Sequence, residues 1–367
     1  MLHIYSTVIG DLTIHRSTIL TLWRAGLTHH SMPEAKLDWY YHENPQGNPT
    51  VYLLQAAPTA KSIAEIISVV PAHSPTVAAN ETVGVAAIGV RDMRLDASTL
   101  SAGALVDFVA HPDHRTLFPA LHLQKTVRQY GLSVHSLLYG FPNASSLAVV
   151  RRSGYSQIGN MVRRVKVLRT AEYIGRHVPS RLGHIIGYVV DHIRRGSERL
   201  RWPSDTRFQA GWLDGPDHRF DQLWDASLVP NTLMGVRDHA FLNWRFASCP
   251  AQQFKFFCLE SENDLKLAAY AVCESQSSTL HVRDFLVDST MRGVLKSLFL
   301  ALSRAAYKEG YAAISVSFLG NNRIHNCLSA IGFIERGSAK IYGSATEQFK
   351  KNLDAQYWYI TSADEDW

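Results

Sequence analysis

Cysteine is scarce: four occur in 367 residues, Cys249, Cys258, Cys273 and Cys327, all in the second half and none in a CxxC pair. That spacing excludes a disulfide-framed module and leaves thiols expected to be free, buried and reduced. Long apolar runs are missing too, since no stretch approaches the ~20 residues needed to span a bilayer. The start, Met1-Leu2-His3-Ile4-Tyr5, lacks a basic segment followed by a long apolar core, so no signal peptide is expected. P-loop and Gly-x-Ser-x-Gly patterns are absent. His111-Pro112-Asp113-His114 carries an HxxH spacing, but the proline puts it on a turn, and His29-His30 is an isolated pair. Nothing supplies three or four convergent ligands, so no metal is expected. With 46% hydrophobic and 19% charged residues, the expectation is a cytoplasmic globular protein.

The length predicts two domains. The net charge of +5 is unevenly spread. Residues 151–201 hold twelve Lys/Arg against three acids, Glu172, Asp191 and Glu198. Such a patch suits an anionic partner, with tRNA or an anionic membrane surface as the macromolecular options, or forms a solvated helix face. DNA is not expected. Within it, Leu182, Ile185, Ile186, Val189, Val190 and Ile193 recur at helical spacing, which predicts a basic connector helix over 170–206. The domains are then 1–169 and 207–367.

Strands are expected at Val51–Ala56, Val83–Val90, Leu105–Ala110, Val134–Gly140 and Tyr155–Leu168. Helices are expected at Thr18–Ala25, His114–Tyr130 with Gly131 as its C-cap, and Ser145–Ser153. Residues 31–50 read as loop, and Thr59–Val70 as a helix or irregular excursion. The second half restarts with strands at Phe254–Glu260, Lys266–Glu274 and His281–Val287. A helix over 292–310, a strand at Ala313–Phe318, a helix at Asn322–Ala330 and a strand from Phe333 follow.

The halves share an ordered set of spacings. Asp107-Phe108 precedes Arg115 by eight residues, and Asp284-Phe285 precedes Arg292 by eight. Each Arg opens a helix, then a strand, then Asn143 or Asn321. Eleven residues later come Gly154-Tyr155 and Gly332-Phe333, and five beyond those, Gly159 and Gly337. Single matches are chance-level, but the ordered set argues for duplication of one unit of strands and helices.

That unit resembles the core of the GNAT N-acetyltransferase superfamily. The family pattern is Arg/Gln-x-x-Gly-x-Gly/Ala at a helix start, whose backbone N–H groups hold the coenzyme pyrophosphate. Val109-Ala110-His111-Pro112-Asp113-His114-Arg115-Thr116-Leu117-Phe118-Pro119-Ala120 fits it: Arg115 takes the first position and Ala120 the last, while Phe118 stands where the middle glycine would be. In copy two, Arg292-Gly293-Val294-Leu295-Lys296-Ser297 lacks both the fourth-position glycine and the Val-x-Pro lead-in. The resemblance implies an α/β (α+β, mixed-sheet) fold in two tandem GNAT-like domains. It implies acetyl-CoA or another acyl-CoA as co-substrate in copy one, bound by Phe108, Val109, Ala110, Arg115–Ala120 (Thr116, Leu117, Phe118 and Pro119 included) and Asn143.

Acyl transfer to an amine needs a proton acceptor, donors for the developing oxyanion, and a leaving thiolate. The resemblance puts the oxyanion donors near Phe108–Ala110. Asp107 and His111 are the candidate catalytic groups of copy one, and Asp284 and Asp288 those of copy two; an Asp on a central strand is also a fold-holding residue. Many family members place a Tyr acid four residues before the motif glycine, where this chain has Val150 and Leu328. Trp39-Tyr40-Tyr41 and Asn243-Trp244-Arg245-Phe246 occupy comparable places in each half, as acceptor-pocket or packing residues. Three functions follow: an acyl-CoA-dependent N-acyltransferase acting on a small-molecule amine such as an amino sugar or envelope precursor, an aminoacyl-tRNA-dependent transferase resembling the FemABX group, or a non-catalytic ligand-binding protein of the same fold.

Overall fold

The computed structural model describes residues 3–27, 32–58, 80–170, 191–193, 196–198, 200–262 and 265–366. Copy one comprises β1 (His3–Gly10), α1 (Arg16–Gly26), α2 (Pro33–His42), β2 (Thr50–Pro58), β3 (Glu81–Leu95), β4 (Ser98–Ala110), α3 (Leu117–Val134), β5 (Leu137–Gly140), α4 (Leu147–Arg152) and β6 (Ser156–Val167). Copy two comprises β7 (Phe208–Leu213), α5 (Arg219–Ala226), β8 (Leu233–Gly235), α6 (His239–Leu242), β9 (Phe254–Ser261), β10 (Leu267–Gln276), β11 (Thr279–Val287), α7 (Val294–Lys308), β12 (Ala313–Phe318), α8 (Asn322–Ala330) and β13 (Ile334–Ala345). A short β14 (Trp358–Tyr359) follows.

The duplicated spacings become duplicated structure. Asn143 and Asn321 each turn the chain into the short helix, their Oδ1 accepting from Ser145 N and Ser146 N in one copy and from Arg323 N in the other. Gly154 and Gly332 close those helices at φ +91° and +93°, a region that favours glycine. Both central hairpins are bulged beside the repeated Asp: Ala87 faces Val106 and Val85 faces Val109, while Val272 faces Asp284 and Cys273 faces Val282. A bulge adds a residue to one strand and bends it.

Strands from both halves form one mixed sheet, in the order β1-β2-β3-β4-β5-β13-β6-β12-β11-β10-β9-β7. The centre is an exchange. β5 pairs parallel with β4 on one side and antiparallel with β13, from the other half, on the other. β12 pairs parallel with β11 and antiparallel with β6. β6 and β13 pair with each other from Ser156↔Gly343 to Val165↔Ile334. Each copy's last strand thus completes the other copy's sheet. A second junction lies off the sheet: Trp39 and Trp244 stack at 5.1 Å, and each indole Nε1 donates to the other's backbone carbonyl, at 2.8 and 3.1 Å. The two aromatic segments are packing residues at this junction.

Two expectations need correction. Residues 33–42 are helical: Pro33 fits the first turn, and Leu37, Trp39, Tyr40 and Tyr41 are buried. The turn formers Asn44 to Pro49 hold only the segment after it. Gly131 does not end its helix, which runs to Val134 with His135 as its C-cap. A Cβ at Gly131 would sit 2.6 Å from Ile88 and 2.9 Å from Leu138, so the glycine serves close packing of α3 on the sheet. The excursion at 59–70 and most of the 170–206 connector lie outside the described residues. No helix among the described residues is long and apolar enough to cross a membrane.

The exchange predicts that residues 1–169 alone, with β5 lacking β13, do not fold, whereas co-expression with 207–367 restores a soluble 1:1 complex. Circular dichroism and gel filtration check this; a cooperatively unfolding, soluble 1–169 fragment would contradict it.

Candidate active site

In copy one, β4 and β5 pair only over Ala102–Ala104 and Leu137–Tyr139. Beyond that they diverge, and the gap opens into a cleft of about 650 Å³. Its walls are Leu105 to Ala110 of β4, Gly140 at the end of β5 with Phe141 to Asn143 after it, the start of α3, and Ala148 to Val150 of α4. The pattern residues divide. Phe108, Val109, Ala110, Arg115, Thr116, Leu117, Ala120 and Asn143 line the cleft. Phe118 and Pro119 do not: Phe118 is 67% exposed, with its ring 6.1 Å from Tyr5, so its side chain leaves the cleft free. His111 also stands outside the wall, its Nδ1 accepting from Asp113 N.

Arg115 fixes the loop before α3. Its Nε donates to Ala110 O at 2.9 Å and its Nη2 to Ala25 O at 3.1 Å. Thr116 gives α3 no side-chain cap. The first-turn amides of Leu117 and Phe118 therefore have no helical acceptor, and Pro119 contributes no N–H. Gln124, one turn further along α3, is 2% exposed and lines the cleft, and its Oε1 has no hydrogen-bond partner. A buried amide oxygen with no partner, on a residue of the cleft wall, wants an N–H donor. These groups fit acyl-CoA: the Leu117 amide and a cation for phosphate, and a side-chain amide for the amide-rich pantetheine arm.

Asp107 adopts φ +52° at the bulge and is buried, its side chain 0% exposed. It accepts from Lys36 Nζ and Tyr41 Oη, both at 2.6 Å. Asp366 joins from the far end of the chain, its Oδ1 3.0 Å from Lys36 Nζ and its Oδ2 accepting from Asp107 N at 3.1 Å. Burial opposes the charge on Lys36, but the two carboxylates outweigh it and its pKa is raised. Burial, reinforced by Asp107, pushes Tyr41 well up, so it stays a neutral donor. Sequence reasoning missed Lys36 and Asp366. The available signal for Lys36 was a lone lysine on the apolar face of Leu37, Tyr40 and Tyr41.

Copy two follows the same plan with a different outcome. β11 and β12 pair over Thr279–Val282 and Ala313–Val316 and then diverge. Between them runs the segment after β13. Ile360 makes a two-way backbone bridge with Leu319 beyond β12. Tyr359 packs between Phe285 and Phe318, and its hydroxyl donates to Phe285 O. Thr361 Oγ1 donates to Asp284 at 2.6 Å, and Asp284 also accepts from Arg237 at 3.0 Å and Tyr270 at 2.7 Å. Asp288 caps its own turn, accepting from Thr290 N and Oγ1. Both candidate bases of copy two are thus spent on structure. At the position of the family's acid, Val150 and Leu328 are buried apolar residues. Among the described residues no group of three or more His, Cys, Asp or Glu gathers to hold a metal, and all four cysteines are free.

No protein-family model matches the sequence, and no curated protein matches it either. Solved structures do. A GCN5-related N-acetyltransferase from Anabaena variabilis superposes with a TM-score of 0.62 at 9% identity, covering 96% of this chain and 75% of that one. Another, from Kribbella flavida, gives 0.57 at 11%, covering 94% and 72%. A tandem GNAT protein from the clavulanic acid biosynthesis pathway gives 0.50 at 11%, covering 93% and 98%. The chain has the fold of the GNAT superfamily, α/β with a mixed sheet. Its internal repeat and the tandem neighbour together define that fold as a double one.

Lys36→Met removes the cation shared by Asp107 and Asp366 and leaves the buried Asp107 carboxylate without its counter-charge, a loss of about 3–5 kcal/mol. Urea unfolding at neutral pH reads it; a change under about 1 kcal/mol would mean the pair is not buried as described.

Proposed function

We propose that this protein is an acyl-CoA-dependent N-acyltransferase whose working site is the cleft of copy one, moving an acetyl or longer acyl group to the amine of a small molecule. The observation that carries this reading is the polarity of that cleft. At one end stand Arg115 and the uncapped start of α3, suited to phosphate. At the other stand Asp107 and Asp366, two carboxylates sharing one ammonium, Lys36, which suits a cationic amine. The N-acetyltransferase neighbours of the same fold support this use of the cleft.

Bound acyl-CoA supplies an activated acyl group as a thioester. The chain's own residues would do the rest. The Leu117 amide and Arg115 hold the phosphates, and the Gln124 side-chain amide, in the cleft wall, meets the arm. The backbone of Phe108–Ala110 lies along the cleft to orient the thioester and stabilise its oxygen. The apolar walls, Leu105, Val106, Val109 and Val149 among them, exclude water. With Val150 in place of a phenol, the leaving thiolate takes its proton from the amine itself or from water.

That valine also favours a second reading, a protein that binds acyl-CoA without transferring the acyl group. Calorimetry with acetyl-CoA is expected to show one site per chain. Gln124→Leu or Arg115→Ala is expected to weaken binding about tenfold, or 1.4 kcal/mol. No binding by acetyl-CoA or longer acyl-CoAs would refute the main reading; binding without turnover across an amine panel would establish the second.

A further inference from the structure

We propose that Asp366 is the proton-accepting group of copy one, delivered to that cleft by a segment anchored in copy two. The inference rests on the N-acyl transfer proposed above and names the residue that activates the acceptor.

The anchoring is extensive. Trp358 and Tyr359 pair with Leu233 and Met234 of β8, and Ile360 bridges Leu319. Asp364 is buried between Arg237 and Arg91, at 2.6 and 2.9 Å. Arg245 donates from Nε to Ala363 O and from Nη2 to Glu365 O, at 3.0 and 2.6 Å. The residues before Asp366 are thus held on three sides, and Asp366 lands in the wall of the cleft, against Asp107 of β4. The segment that fills copy two's gap is the one that completes copy one's.

Of the two carboxylates there, Asp366 has the access. Asp107 is fully enclosed and takes the short contacts with Lys36 and Tyr41. Asp366 has the longer contact with Lys36, and its side chain is 31% exposed. The groups that face it are Lys36, Tyr40 and Tyr41 of α2, Asp107 of β4 and Arg245. Burial raises the phenols, so Tyr40 and Tyr41 stay neutral. Two carboxylates around one ammonium make the accessible one a better proton acceptor than a carboxylate with a cation to itself. Partial removal from water and the nearby Asp107 raise its pKa, against the pull of Lys36.

The step balances as follows. An ammonium acceptor gives one proton to Asp366, and its freed lone pair forms the new N–C bond. The C–S bond breaks, the thiolate takes the second nitrogen proton, and Asp366 releases the first to water.

The test compares full-length wild type, Asp366→Asn and Asp366→Glu. Acetyl-CoA affinity is read by calorimetry, folding by thermal unfolding, and rate by thiol release with glucosamine, putrescine and benzylamine between about pH 5.5 and 9. Asp366→Asn is expected to hold acetyl-CoA within about threefold of wild type and to lower kcat about 100-fold. It should also lose the fall in kcat that wild type shows as pH drops through the Asp366 pKa. Asp366→Glu should recover part of the rate and restore the acid limb. A purely structural role would change folding or KM and leave the pH profile in place. Wild-type kcat and profile in Asp366→Asn overturns the assignment, and so does a wild type that binds acetyl-CoA and acylates none of the amines. A wild type that binds no acetyl-CoA removes the coenzyme reading, and this assignment with it.

Discussion

The pairing of β6 with β13 is the constraint on which the rest depends. Without it neither half has a complete sheet, because β5 and β12 each find their outer partner on the other half. A strand missing from the middle of a mixed sheet leaves a row of unpaired N–H and C=O groups that no surface substitution repairs. The exchange also sets the orientation of the two copies, and the Trp39–Trp244 stack with its paired indole–carbonyl bonds fits that orientation. Buried hydrophobic residues from both halves run through one shared cluster, while a second, drawn mostly from copy one, packs between α3 and its sheet.

Duplication does not make the two copies equal. Both diverge after the central strand pair, and both place an Asp at the bulge, because these features belong to the backbone. What occupies the gap differs. In copy two, Tyr359 lies between Phe285 and Phe318, and Asp284 is locked to Arg237, Tyr270 and Thr361. In copy one the gap is open, and the carboxylate that closes its end arrives from the other copy. One fold, used twice, has left one cleft available and turned the other into the support for it. This division explains why the coenzyme pattern is fuller around Arg115 than around Arg292.

The repeat was legible because its markers are backbone devices. Asn143 and Asn321 start helices, Gly154 and Gly332 end them at positive φ, and such residues keep their spacing whatever surrounds them. The place of the cleft was legible for the same reason. The exchange was not, since β6 and β13 show strand character with no mark of which strand they border. Lys36 and Asp366 were hidden by distance, 71 and 259 residues from Asp107. The turn formers at 44–49 masked a helix that starts at Pro33 and is held by burial of Leu37 and Tyr41. Asp107 was singled out as a catalytic group, and its carboxylate proves enclosed; a strand position alone does not reveal which way a bulge turns its side chain. His111 was drawn in by its chemistry, although Pro112 carries the chain into a turn outside the cleft wall.

Hydrogen–deuterium exchange of the full chain with and without acetyl-CoA tests the central claim most directly, because it reports on both copies at once. Protection is expected over residues 105–124 and 140–150 of copy one, with 282–297 and 313–330 of copy two unchanged. Protection centred on the copy-two segments, or equal in both, would contradict the account.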